Sequence, residues 1–158
     1  MNTINLRWIH PKAGILTTCL IGLLSFSLNV VAQTTKTTTI IGSWLNQEKA
    51  AKIEISQQGK KFFGKIAWLR EPYENGNPKT DNKNPDKSRH NDPIIGLVML
   101  KNFEFDGKST WEGGTIYDAR TGKTYSSYMT LQADKTLKVR AYIGVSLLGQ
   151  TTIWTRVN

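Results

Sequence analysis

Cysteine is almost absent. Cys19 is the only one in 158 residues, and it lies inside an apolar N-terminal run. A chain trimmed past that run has no thiol and no disulfide, so its stability must come from a packed core. Histidine is nearly as scarce, with His10 and His90 alone. A metal centre needs several His, Cys or carboxylate ligands at defined spacing; His90, flanked by Arg89 and Asn91, has no such company and reads as a loop residue. Without a thiol, a Gly-x-Ser-x-Gly elbow or a histidine base, nucleophilic catalysis has no visible machinery. No cofactor or metal is expected. No long amphipathic helical pattern follows the N-terminal run, and no compact basic stripe or RNA-binding motif occurs, so nucleic acid is not an expected partner.

What is present begins with that run. Arg7, His10 and Lys12 precede an apolar stretch from Ala13 to about Val31, and Val30-Val31-Ala32 offers small residues for cleavage. This is the order of a secretory signal, predicting cleavage after Ala32 and export to the periplasm. A retained anchor is the competing reading, because the run is just long enough to span a bilayer; its polar, uncharged C-terminal end lacks a stop-transfer cluster. Lipid attachment at Cys19 is not expected, since Thr18 stands where a lipobox requires Gly, Ala or Ser. Removing residues 1–32 leaves 126, one domain with no transmembrane segment, and a net charge of +7, from 19 basic and 12 acidic residues. The lysines are scattered. Anionic envelope components are therefore conceivable partners only through a diffuse surface charge.

Residues 33–39 are polar and Thr-rich and read as a disordered linker. From Ile40 to Asn158 period-two patterns dominate. Eight strands are predicted: Ile40–Leu45, Ala50–Ser56, Lys61–Leu69, Ile94–Leu100, Ser109–Tyr117, Thr124–Leu131, Thr136–Ile143 and Thr151–Val157. Residues 57–60 and 118–122 carry turn signals, while Arg70–Pro93 is a long polar loop of a kind that often binds or covers something. The stretch Ile94–Leu100 has a short helix as its alternative. The fold class is all-β, a single closed or nearly closed antiparallel barrel of about eight strands, a size that side chains fill or that holds one small ligand.

Several residues invite a chemical role. Asp81-Asn82-Lys83-Asn84-Pro85-Asp86 has the look of a calcium loop, but Lys83 occupies a ligand slot and the obligatory glycine is missing. An Asx-turn cluster is the plainer reading. Acid–base chemistry needs only two placed carboxyls, so Asp118 with Glu112 or Asp81 leaves a hydrolase open. Asp118 heads a turn, however, where Asp caps backbone N–H groups. Alternation places Trp111, Gly113, Thr115 and Tyr117 on one face of a strand, with Tyr125 and Ser127 on its partner. If that face points inward, Trp111, Tyr117, Asp118, Tyr125 and Arg140 are the candidate ligand-binding residues; a packed interior is the competing reading.

At the chain ends, Gly42-x-Trp44 lies in the first strand and Arg156 in the last. In a closed barrel these strands are neighbours, so Arg156 is placed to stack on Trp44 with Gly42 leaving it space. The pair resembles the structural signature of lipocalins and their calycin relatives, in which it closes the barrel.

From about Ile41 to Arg156, nearly the whole domain, the chain resembles a bacterial family catalogued as domain of unknown function 2147. The resemblance rests on Gly42-x-Trp44-Leu45, Gly64-Lys65-Ile66-x-Trp68-Leu69, Asp81 with Asn84-Pro85-Asp86, and Pro93-Ile94-Ile95-Gly96-Leu97. It continues through Trp111-x-Gly113-Gly114-x-Ile116-Tyr117-Asp118, Gly122-Lys123-Thr124-Tyr125, Leu137-x-Val139-Arg140 and Gly149-x-Thr151-x-x-Trp154-Thr155-Arg156. Ala119 departs from the family's Pro after Tyr-Asp, and Ala141 from its Gly before Tyr. The resemblance implies export and a single domain, and supplies no activity. The resulting expectation is a periplasmic barrel for a lipid or other small apolar or amphipathic molecule. The alternatives are an envelope protein binding polymer or protein through its surface loop and, third, a carboxylate hydrolase.

Overall fold

The computed structural model describes residues 39–157. The chain divides into two units, residues 1–36 and 37–158, and the described residues belong to the second. The expected signal segment, its cleavage after Ala32 and all but Thr39 of the linker lie outside them.

Eight strands close into an antiparallel barrel. In chain order the elements are β1 (Gly42–Leu45), β2 (Ala51–Gln58), β3 (Lys61–Leu69), the short strands β4 (Tyr73–Glu74) and β5 (Asn77–Pro78), β6 (Val98–Phe105), β7 (Thr110–Asp118), β8 (Lys123–Leu131), β9 (Leu137–Tyr142) and β10 (Gly149–Val157). Round the barrel they run β1-β10-β9-β8-β7-β6-β3-β2, while β4 and β5 form a separate hairpin. Closure leaves the eight barrel strands without an open edge, which removes a template for pairing with other chains. Trp44 pairs with Arg156 and with Ile53, so β1 seals the gap between the last strand and the second.

The period-two pattern sorts the side chains. Ile53 and Ile55 on β2, Phe62 on β3, Leu100 and Phe103 on β6, Met129 on β8, and Leu137 and Val139 on β9 all turn inward and are buried in one cluster with Trp44, Trp111 and Trp154. Two glycines permit this packing. A Cβ at Gly64 would collide with Leu100, and one at Gly114 would overlap the Phe103 ring, so large residues from β6 occupy the space those glycines vacate.

The structure departs from the expected elements in two places. The fourth expected strand, Ile94–Leu100, is shifted: residues 94–97 form a turn and the strand runs Val98–Phe105. Gly96, with φ of 97°, bends the chain, and Gly96 and Leu97 hydrogen-bond with Ile66 from outside the ladder. The loop Arg70–Pro93 is also structured. It contains the β4–β5 hairpin, a 3-10 turn at Lys87–Arg89 capped by Asp86, and a bridge between Thr80 and Pro93.

Candidate ligand-binding site

The two ends of the barrel are built differently. At one end lie the β2–β3, β6–β7 and β8–β9 turns, and here the interior is filled. Trp111 packs edge-on against Phe62 with ring centroids 5.9 Å apart, and Phe105 lies tilted over it at 4.6 Å. The Arg156 guanidinium sits 4.3 Å from the Trp44 ring centroid and donates to the Ile41 and Thr39 carbonyls at 2.8 and 2.6 Å. The Trp44 indole donates to the Ile40 carbonyl at 2.7 Å. Gly42, with φ of 125°, leaves room for Nη1 of Arg156. This end is a plug.

The other end carries the β1–β2, β7–β8 and β9–β10 turns, and the interior there is hollow. A cavity of about 480 Å³ runs from the mouth down to Val139 and Trp154. Its wall is apolar in the middle (Ile53, Ile66, Met99, Ile116) and polar at the rim (Asn46, Asp118, Arg120, Gln150). This volume is within the range for small-molecule sites, and the lining is of the usual kind, mostly hydrophobic with a few polar groups. A second concavity, about 780 Å³, is larger but lies on the outer surface against Phe63, Lys65 and Lys101. With exposed Ile95, Val98 and charged side chains on its sides, it is a groove open to water rather than a chamber.

Tyr117, Asp118 and Tyr125 line the hollow end. Pairing of Ile116 with Tyr125, and alternation through buried Ser127 and Met129, turn Tyr125 to the inner face. Trp111 and Arg140 are not brought to them. Trp111 belongs to the plug, where its indole N–H is buried with no hydrogen-bond partner among the described residues. The expected shared face of Trp111, Gly113, Thr115 and Tyr117 is broken by a bulge between Trp111 and Gly114. Gly113 adopts φ of 71°, so Gly114 rather than Gly113 faces inward. Arg140 alternates with inward Val139 and Ala141 and therefore points outward. It donates to the Ser146 carbonyl at 2.7 Å, the Leu147 carbonyl at 3.2 Å and Thr151 Oγ1 at 2.8 Å, bracing the β9–β10 turn.

A polar knot holds the long loop over this mouth. Asp81, fully buried, accepts from the Tyr117 hydroxyl at 2.7 Å and from Asn84 Nδ2 at 2.7 Å. Burial, then the bond to Asp81, raises the Tyr117 hydroxyl from 10.0 to about 12. His90 Nε2 lies 2.8 Å from the Asn84 carbonyl oxygen, so this side chain fastens the loop. Ile94 and Leu97 pack with Ile66, Leu69 and Tyr117, which makes the loop part of the cavity wall. The residues Asp81 to Asp86 are thus turned inward on themselves, and no group of three His, Cys, Asp or Glu able to hold a metal occurs among the described residues. Asp118 caps its turn, accepting from the Arg120 N–H and Thr121 Oγ1 at 3.1 Å each. Glu112 is six residues away along β7, about 20 Å at 3.3 Å per residue, and pairs across from Glu104 near the plug. Asp118 and Glu112 therefore do not form a catalytic pair, and both oxygens of Asp81 are taken up by Tyr117 and Asn84.

Ala141, which departs from the family pattern, and Ile94 are not among the candidate ligand-binding residues of the sequence, yet both line the cavity. Ala141 had a signal: a small residue in a strand of large ones leaves space opposite it.

A family model described as "Uncharacterized protein conserved in bacteria (DUF2147)" matches residues 42–156. The chain belongs to this family. The match spans the whole barrel, from the Gly42 of the first strand to the Arg156 that seals it. None of the curated proteins matches. Among solved structures, a Helicobacter pylori protein described as belonging to the lipocalin family is similar, with a TM-score of 0.69 and 23% sequence identity over 76% of this chain and 84% of that one. At that identity the likeness establishes a shared fold, a lipocalin-like barrel. Among the described residues, no helix is long and apolar enough to cross a membrane.

Proposed function

We propose that this family member is an exported, periplasmic binding barrel for one small apolar or amphipathic molecule. The observation that carries the reading is the asymmetry of the interior: the barrel is plugged with aromatics at one end and hollow, with an apolar wall and polar rim, at the other. A protein that needed only stability would gain by filling that space, since interiors are otherwise close-packed. The lipocalin-like fold of the Helicobacter pylori protein supports the same reading, and the basic, apolar, small-residue order of residues 7–32 supports export.

Native mass spectrometry of protein purified gently from its own envelope, compared with a denatured sample, tests this. An adduct lost on denaturation is expected, and its mass identifies the ligand. A bare mass, with no uptake of added fatty acids, overturns the reading and moves attention to the outer groove beside Ile95 and Val98. Ala141→Trp sharpens the test by building a ring into the cavity from its wall. Ligand affinity is expected to fall at least about tenfold, or roughly 1.4 kcal/mol. The melting temperature should change little, because the ring enters existing space.

A further inference from the structure

The β9–β10 turn does the opposite of what exposed turns do. Residues Ala141 to Trp154 contain no charged side chain in a chain of net charge +9. The tip bears Ile143, Val145, Leu147 and Leu148, exposed by 68%, 59%, 87% and 70%. An apolar tip this exposed is normally selected against unless something covers it. Nor is it a slack loop. Leu148 N–H donates to the Val145 carbonyl at 3.0 Å and Ile143 N–H to the Leu148 carbonyl at 3.1 Å, Gly144 supplies the positive φ the turn requires, and Arg140 grips the Ser146 and Leu147 carbonyls from behind. Arg140 is a positioning residue that holds the leucines outward.

From these features we infer that the β9–β10 tip is a wedge that seats the mouth of the barrel on an anionic lipid bilayer. Three observations select a bilayer over a protein groove. The tip is a projecting prong of flexible aliphatic side chains rather than a flat or concave patch, which suits a deformable hydrocarbon phase. The turns and strand ends around the same mouth carry Lys49, Arg70, Arg120 and Lys123 against Glu48, Glu71 and Asp118, a small positive excess at the height of the headgroups. Ile143 and Leu148 also line the cavity opening, so sinking the prong brings the chamber mouth against the acyl layer. An apolar molecule would then pass between bilayer and barrel without crossing water.

The barrel unit 37–158 closes all its strand pairs within itself, so it is tested without the apolar N-terminal run. Flotation with vesicles of phosphatidylcholine, with and without phosphatidylglycerol, is the measurement. Capture by the anionic vesicles is expected, weakened by salt. Replacing both Leu147→Asn and Leu148→Asn should lower it at least about tenfold with an unchanged melting temperature, since neither side chain is part of the core. Absence of capture overturns the inference, as does capture indifferent to the double substitution. Self-association of the unsubstituted protein that the double substitution abolishes also overturns it, and assigns the tip to a second copy of the chain. Ala141→Trp is expected to leave vesicle capture intact, so failure of the wedge and failure of the ligand reading are separately visible.

Discussion

Trp44→Ala is expected to lower the free energy of unfolding by about 3–5 kcal/mol, read from the urea midpoint at unchanged slope. Trp44 is fully buried and stands where β1 meets both β2 and β10. Truncation opens a cavity at the seam of the barrel rather than in its middle, and a seam of four β1 residues has little else to hold it. It also removes the surface beneath the Arg156 guanidinium. For a domain of this size, whose total stability is of order 5–15 kcal/mol, such a loss approaches unfolding at 37 °C. Arg156→Ala should cost far less, because its cation–π contact is solvent-exposed and worth about 0.5–1 kcal/mol. A double-mutant cycle between the two positions is expected to show coupling near that smaller figure. Coupling of several kcal/mol would mean that Arg156, rather than the buried ring, holds the seam.

The barrel was legible because its evidence is local and repeated. Alternation such as Leu137, Val139 and Ala141 against Lys138 and Arg140 identifies a half-buried strand wherever it occurs, and the Gly42, Trp44 and Arg156 contact needed only the inference that first and last strands are neighbours. The strand shift at Ile94–Leu100 was not legible, because a continuous apolar run has no phase. Ile94 and Leu97 are apolar in order to cover Ile66 and Tyr117 from the loop, while Leu100 and Phe103 are apolar in order to face the lumen, and the sequence records both demands alike.

The candidate site was read less well, for a physical reason. The face assignment of Trp111 to Tyr117 assumed an unbroken pleat, and one bulged residue at Gly113 puts Gly114 and Ile116 on the same face as Trp111. Glycine pairs are the usual mark of such a bulge, so Gly113-Gly114 was the available warning. Arg140, a candidate ligand-binding residue in the sequence, instead holds carbonyls of a turn whose conformation no periodicity reports. The apolar turn 143–148 itself stood in plain view, since turns between exposed strand ends are ordinarily polar.

The second large effect is expected at Asp81. Asp81→Ala leaves the Tyr117 hydroxyl and the Asn84 amide without their shared acceptor in a buried setting, at a cost of about 2–4 kcal/mol. The loss should be uneven. The plug end does not touch this knot, whereas Ile94 and Leu97 are held against the mouth by the loop that Asp81 ties down, so hydrogen exchange should accelerate across residues 79–97 before the core strands respond. Ligand affinity should fall with it, because Ile94 is part of the cavity wall. Tyr117 gives the same knot an alkaline limit. Its folded value of about 12 exceeds the ordinary 10.0, so the folded state holds the proton more tightly than the unfolded chain does. The associated stability is complete below pH 10 and is lost as pH rises through about 12. Urea midpoints followed across that window should drop more steeply for the native sequence than for Tyr117→Phe, which has no proton to lose. Equal slopes would show that the buried carboxylate, and not the phenol it binds, sets the stability of the mouth.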